Sequence, residues 1–221
     1  MPPVSISFRR HAQKTKNGKN ITPKGKEDIV KLARESKPAK IYSSTENRTI
    51  ETAEILEKLT NTEYKLRINK ELRGHKYFSG ERIKTTKRDN LLTFFKRVSE
   101  KLGVKDSIVI KIWLNGNFPK RIVPKPEVIA DQIIKDRFKL PNRVNKMTNR
   151  TIIFENITHD IVIAALFQRL SGIKYTKAFK HDFPKELEAL TIEISKEGKA
   201  IMQFRDYKKE ITDRLNAILT N

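Results

Sequence analysis

Val4, Ile6 and Phe8 alternate with Ser5 and Ser7, the period of two expected of a strand with one buried face. The alternation stops at Arg9-Arg10-His11, and a loop rich in Lys, Asn and Gly runs on to Asn20. Thr22-Pro23 reads as a helix cap followed by proline at the first helical position. Ile29, Leu32 and Ala33 then make a helical stripe to about Glu35, ended by Lys37-Pro38. Ala39 to Ser44 reads as a second short strand. Asn47 to Leu59 reads as a helix with Ile50, Ala53, Leu56 and Leu59 on one side. Strand, helix, strand, helix is the order of a parallel sheet with crossover helices.

Residues 60–90 are hard to read, with Glu71, Gly74, His75, Gly80 and Glu81 among many basic residues, and look like an excursion over the sheet edge. Asp89 to Leu102 carries a helical stripe of Leu92, Phe95, Val98 and Leu102. Residues 106–114 fit two patterns: a strand burying Ile108, Ile110, Ile112 and Leu114, or a helix starting at Asp106 and burying Val109 and Trp113. Gly116 to Pro126 reads as a loop, Glu127 to Leu140 as a helix and Pro141 to Asn149 as a basic linker. Thr151 to Ile157 is strand-like and ends at Thr158-His159-Asp160. Ile161 to Leu170 reads as a buried helix closed by Gly172. Leu190, Ile192 and Ile194, then Ala200, Met202 and Phe204, alternate around a turn and predict a hairpin. A charged helix from Asp206 to Leu219 closes the chain.

Composition narrows the class. The chain has 221 residues, long enough for one large domain over residues 1–221, with residues 60–145 as an inserted cap. Hydrophobic residues make up 37% and charged residues 33%, as in a protein with a heavily charged surface. There is no cysteine, which excludes disulfides, a thiol nucleophile and thiolate metal sites. No apolar run reaches the ~20 residues of a membrane span, and Val4 to Phe8 is too short for a signal peptide; the expected location is cytoplasmic. The net charge of +21 attracts polyanions: nucleic acid, an anionic membrane surface or phosphorylated molecules. Solubility alone is the plainer explanation of the same charge. Lys and Arg are scattered and aromatics are 8%, which argues against a surface built for stacking single strands.

Three segments share one arrangement: a strand ends, polar residues sit at its tip, and a helix begins. They are Arg10-His11, Ser43 to Ala53, and Thr158-His159-Asp160. In an open α/β sheet, ligands bind beyond the carboxyl ends of the strands. Two guanidinium groups and two imidazoles converging there suit a phosphate dianion.

At these residues the chain resembles the histidine phosphatase superfamily, with its phosphoglycerate mutase-like fold. Arg10-His11-Ala12-Gln13 with Asn17 follows the family's Arg-His-Gly-Glu motif and its Asn six positions after the His. Ile21-Thr22-Pro23-Lys24-Gly25 follows its Leu-Thr-x-x-Gly helix start. Ser43, Ser44, Arg48, Thr52, Ala53 and Glu54 follow its second motif, and Thr158-His159 its late one. The resemblance implies an α/β fold in three layers, a mostly parallel central sheet with helices on both faces, and a helical or irregular excursion over the active-site edge. It implies His11 as the nucleophile that becomes a phosphohistidine, with Arg10, Asn17, Arg48 and His159 holding the phosphate oxygens. It implies no cofactor and no metal, and a phosphorylated small molecule or phosphoprotein as substrate.

The departures are specific. Ala12 stands where the family has Gly and is expected to crowd the loop, and Gln13 removes a negative charge. The family's mutase branch carries a Glu in a Leu-x-Glu pattern, and the nearest match, Leu72-Arg73-Gly74, has Gly there. Three carboxylates remain as proton donors: Asp160, at the acid-phosphatase position, and Glu71 or Glu81. Asp160 is equally readable as a helix cap, and His159 as a hydrogen-bonded core histidine. Two other outcomes stay open: a degenerate member that binds phosphorylated ligands or nucleic acid, and a mutase, which the missing Glu disfavours.

Overall fold

The parallel pairing of two strands far apart in sequence builds the centre of the molecule. In the computed structural model, which describes residues 2–18, 20–73, 91–118, 123–139, 151–180 and 182–220, β1 (Val4–Arg10) runs beside β4 (Ile152–Thr158). β2 (Lys40–Ser43) lies on the far side of β4, and β3 (Tyr64–Ile68) forms the edge beyond it, all parallel. On the other flank, β5 (Ala189–Ile194), β6 (Ala200–Phe204) and β7 (Tyr207–Glu210) add antiparallel strands. The order across the seven strands is β3-β2-β4-β1-β5-β6-β7.

Strand alternation divides the side chains between two faces. Val4, Ile6 and Phe8 of β1, Tyr42 of β2 and Phe154 of β4 join the larger core. That core is completed by α5 (Pro126–Arg137), α6 (Asp160–Ser171) and α8 (Thr212–Thr220), with α3 (Leu91–Leu102) and α4 (Asp106–Leu114) adding to it. Ile41 and Ile157 join a smaller core on the opposite face with Ile29 of α1 (Pro23–Glu35) and Ala53 and Leu56 of α2 (Asn47–Thr60). The α/β fold with helices on both faces is the one expected. α1 begins as its sequence indicates: the Thr22 hydroxyl accepts the Gly25 N–H at 3.0 Å, and Pro23 occupies the first turn. α6 ends at Gly172 in the left-handed conformation, φ 77°.

Of the two patterns that residues 106–114 fit, the helix is the one adopted, and several other expectations are corrected. Val109 and Trp113 are buried one turn apart, while Ile108 and Ile112, which a strand would bury, are 44% and 38% exposed. Trp113 also donates to Pro124 O at 2.8 Å, which satisfies the buried indole. The excursion after residue 60 opens with β3, a strand of the sheet itself. Tyr64, Leu66 and Ile68 alternate with Lys65 and Arg67, a signal only five residues long, and as an edge strand it leaves most of its side chains exposed. The closing helix is shorter than expected, because Tyr207–Glu210 pairs with β6 before α8 begins. α7 (Tyr175–Phe179), a single short turn, was not foreseen. Leu59, expected on the packed side of α2, is largely exposed, and Thr49, Thr52, Ala53 and Leu56 form the buried stripe. The expected linker at 141–149, together with His75, Glu81 and His181, lies outside the described residues. Among the described residues no helix is long and apolar enough to cross a membrane.

Candidate active site

Strand register brings the candidate residues together. Arg10 stands opposite Thr158, and Ser43 opposite Ile157. The residues that leave the three adjacent carboxyl ends, His11, Ser44 and His159, therefore meet over one edge of the sheet. The rings of His11 and His159 lie edge to face with centroids 5.6 Å apart. Both side chains are buried, at 3% and 2% exposure.

His11 is held in one tautomer. Arg48 Nε donates to His11 Nε2 at 3.0 Å. A guanidinium only donates, so Nε2 carries the lone pair and Nδ1 carries the proton, which it donates to Ala12 O at 2.8 Å. Burial pushes the His11 pKa down to about 3, and the positive charges of Arg48, Arg10 and Lys14 act in the same direction against the Ala12 hydrogen bond. The imidazole is thus neutral with its lone pair facing the cations.

His159 is oriented by a hydroxyl relay. Arg48 Nη2 reaches His159 Nδ1 at 3.5 Å, which leaves Nε2–H as the donor to Ser44 Oγ at 3.0 Å. Ser44 Oγ in turn lies 2.8 Å from Thr49 Oγ1, and Thr49 donates to Glu46 O at 2.7 Å. His159 is thus a buried, hydrogen-bonded histidine, and it also shares Arg48 with His11. Arg48 also approaches Glu46 at 3.6 Å.

Arg9 and Arg10 part company because successive strand residues face opposite ways. Arg9 turns from the site and pairs with the buried Glu155 at 2.9 Å. Arg10 borders the site. Its Nη2 lies 3.5 Å from Asp160 and 3.7 Å from Glu186, and its Nη1 donates to Pro184 O. Asp160 is the first residue of α6, with His159 as the cap, and its Oδ1 accepts the Ile161 N–H at 2.8 Å. Asn17 lies in the exposed turn after the loop that carries His11, where its Oδ1 accepts from Thr15 at 2.5 Å. Glu71 sits in a 3-10 turn, Lys70–Arg73, that is tied to the same strand tip: Thr158 Oγ1 donates to Leu72 O at 2.7 Å.

The departures from the family pattern find places. The Ala12 methyl is fully buried in the smaller core, and its N–H donates to Thr52 Oγ1 at 3.2 Å, so it packs rather than crowds. Gln13 accepts from Thr22 through both its backbone and side-chain oxygens, tying the loop to the start of α1. Lys14, Glu186 and the Pro184 carbonyl are neighbours that sequence reasoning missed. Burial and the charges of Arg48 and Arg10 lower the Lys14 pKa. No periodicity marks these loop residues, so only spatial proximity could find them.

An open sheet with its polar residues gathered at the carboxyl ends of β1, β2 and β4, and a two-helix layer on one face, is the phosphoglycerate mutase-like fold. Solved structures of that shape overlay most of the chain. A phosphoglycerate mutase from Bacillus anthracis covers 100% of this chain and 98% of its own at 19% identity, with a TM-score of 0.56. The Bacillus stearothermophilus protein YhfR covers 91% and 96% at 17% identity, TM-score 0.59. A mycobacterial glucosyl-3-phosphoglycerate phosphatase covers 86% and 90% at 14% identity, TM-score 0.58. No family model and no curated protein matches the sequence.

Proposed function

We propose that the chain is a phosphomonoester hydrolase working through a phosphohistidine on His11. The observation that carries this reading is the buried, neutral imidazole whose Nε2 lone pair is turned to the Arg48 donor. A phosphate oxygen arriving there takes the Arg48 donors and frees the lone pair to attack phosphorus. The P–O bond to the leaving group breaks as the N–P bond forms. Arg10, Arg48 and Asn17 hold the non-bridging oxygens, joined by His159 in its doubly protonated form, whose Nδ1 then donates, positioning and charge stabilisation being most of what phosphoryl transfer requires. A carboxylic acid at the rim gives the leaving oxygen its proton and later takes one from the attacking water. Asp160 is the sequence's candidate for that acid, placed at the rim by its approach to Arg10.

The whole chain serves as one such domain, with residues 60–145 shaping substrate choice. The substrate is a phosphorylated compound. A small molecule is favoured by the phosphatase among the structures of like fold.

Phosphate release from an aryl phosphate across pH 4 to 8, with wild type beside His11→Ala, tests the reading. Activity that vanishes in the variant, with an acid-labile phosphoenzyme trapped in the wild type, is the expected result. Activity that survives His11→Ala would sink it.

A further inference from the structure

Residues 182–188, ahead of β5, are pinned from several sides, although nothing in their sequence suggests order. Arg10 donates to Pro184 O, and Arg9 Nη1 donates to Leu187 O at 2.7 Å. Arg205 grips Glu188 through two nitrogens at 2.8 and 2.9 Å and reaches Phe183 O at 3.2 Å. The turn also closes on itself, Glu188 N donating to Lys185 O at 3.1 Å and Lys185 N to the Glu188 carboxylate at 2.6 Å. Leu187 has φ 59°, a left-handed conformation that a leucine keeps only when its surroundings over-determine it. Its side chain packs against the smaller core, which supplies that constraint.

What this turn holds in place is Glu186. Its Oε1 lies 3.7 Å from Arg10 Nη2, the nitrogen that Asp160 approaches at 3.5 Å. A carboxylate beside a phosphate cradle repels the incoming dianion, a cost in binding that chemistry at the carboxylate would offset. In-line attack sets the geometry of that chemistry. The nucleophile His11 is buried, so the leaving oxygen departs toward solvent, and the Glu186 side chain is 45% exposed there. Asp160 is more committed. One of its oxygens is bonded to the Ile161 N–H and the other faces Arg10, and it stands in the first turn of α6, where a helix end favours an anion. Among the described residues, Glu186 has Arg10 as its one ion-pair partner.

We propose that Glu186 is the proton donor of the reaction, with Asp160 holding Arg10 in position. The proposal rests on the phosphohistidine hydrolase reading. In the first step the N–P bond forms at His11 Nε2, the P–O bond breaks, its electron pair goes to the leaving oxygen, and that oxygen takes the proton from the Glu186 carboxyl. In the second, the Glu186 carboxylate takes a proton from water as the water oxygen bonds to phosphorus and the N–P bond breaks. Both steps balance, and Glu186 ends protonated.

The test is kcat/KM, which reports formation of the phosphoenzyme and not its hydrolysis, on two esters, an alkyl phosphate with a poor leaving group and 2,4-dinitrophenyl phosphate, which needs no protonation. Wild type, Glu186→Gln and Asp160→Asn are compared. Glu186→Gln should lose at least tenfold more on the alkyl ester than on the activated one, general acid catalysis being worth about 10²–10⁴. Asp160→Asn should lose similar factors on both. An equal loss on both esters in Glu186→Gln would mark a structural role and overturn the proposal. So would a leaving-group-dependent loss confined to Asp160→Asn. A wild type inactive on both esters would instead refute the hydrolase reading, and this proposal with it.

Discussion

Arg48 Nε lies 3.0 Å from His11 Nε2, so this one guanidinium fixes which nitrogen of the His11 ring carries the lone pair. Its Nη2 touches the second histidine at 3.5 Å, and the two contacts need a planar fork. Arg48→Lys retains the charge and loses the fork. Its kcat/KM should fall by about 10²–10³, the loss associated with one pre-aimed donor, with little change in the thermal unfolding midpoint. Steady-state kinetics beside a melting curve checks this.

The pH dependence of stability follows from the same ring. An unfolded histidine titrates near 6.5, whereas His11 in the fold titrates at about 3 because it is buried. Between those values the unfolded chain binds a proton that the native state does not. Stability contributed by His11 is therefore complete above pH 6.5 and declines as pH falls toward 3, with a slope approaching about 1.4 kcal/mol per pH unit. In His11→Gln that component should disappear. Urea unfolding of both proteins from pH 4 to 7 measures the difference, and parallel curves would contradict it.

Gly25 is required by a close approach. A Cβ built there meets Ile21 Cγ2 at 2.7 Å and the Gln13 carbonyl at 2.8 Å, and the latter is backbone that cannot move aside. Gly25→Ala should push α1 away from the loop carrying His11. A loss of about 1–3 kcal/mol, the usual cost of overpacking, is expected, and activity should fall with it. Chemical denaturation paired with phosphate release is the measurement.

Ser44→Ala removes the hydroxyl that receives the His159 Nε2–H and links it to Thr49. The buried imidazole N–H then lacks its acceptor, a cost of about 1–3 kcal/mol. KM for an aryl phosphate should rise, since His159 loses the bond that aims its ring. Ser44→Thr, which keeps a hydroxyl, should recover part of the effect. Unchanged kinetics in Ser44→Ala would show that the relay does not orient the ring.

Much of the candidate site was legible because its residues sit where elements change. A strand period that breaks at Arg10-His11, a cap at Thr22 and a glycine at 172 are local signals, and each corresponds to an element end in the fold. Residues 106–114 show where local signals leave two readings open. Ile108, Ile110 and Ile112 have β-branched side chains suited to a strand, yet packing Val109 and Trp113 into the core made the segment helical. Edge strands β3 and β7 were missed for a related reason. β3 does alternate, Tyr64, Leu66 and Ile68 against Lys65 and Arg67, but over only five mostly exposed residues, and the four residues of β7 carry no alternation.

By itself the sequence determined the βαβα start, the strand tips with their Arg and His residues, and the cationic character of the chain. Those properties arise from neighbours in the chain, through periodicity, capping and composition. Tertiary structure decided which arginine borders the candidate site, since Arg9 and Arg10 differ only in the face they take. It decided the His11 tautomer and its depressed pKa, which need burial and a guanidinium from another helix. It also decided the place of Glu186, which reaches Arg10 across 176 positions of sequence only because β5 lies beside β1. Contacts of that range are set by strand register, and no local pattern encodes it.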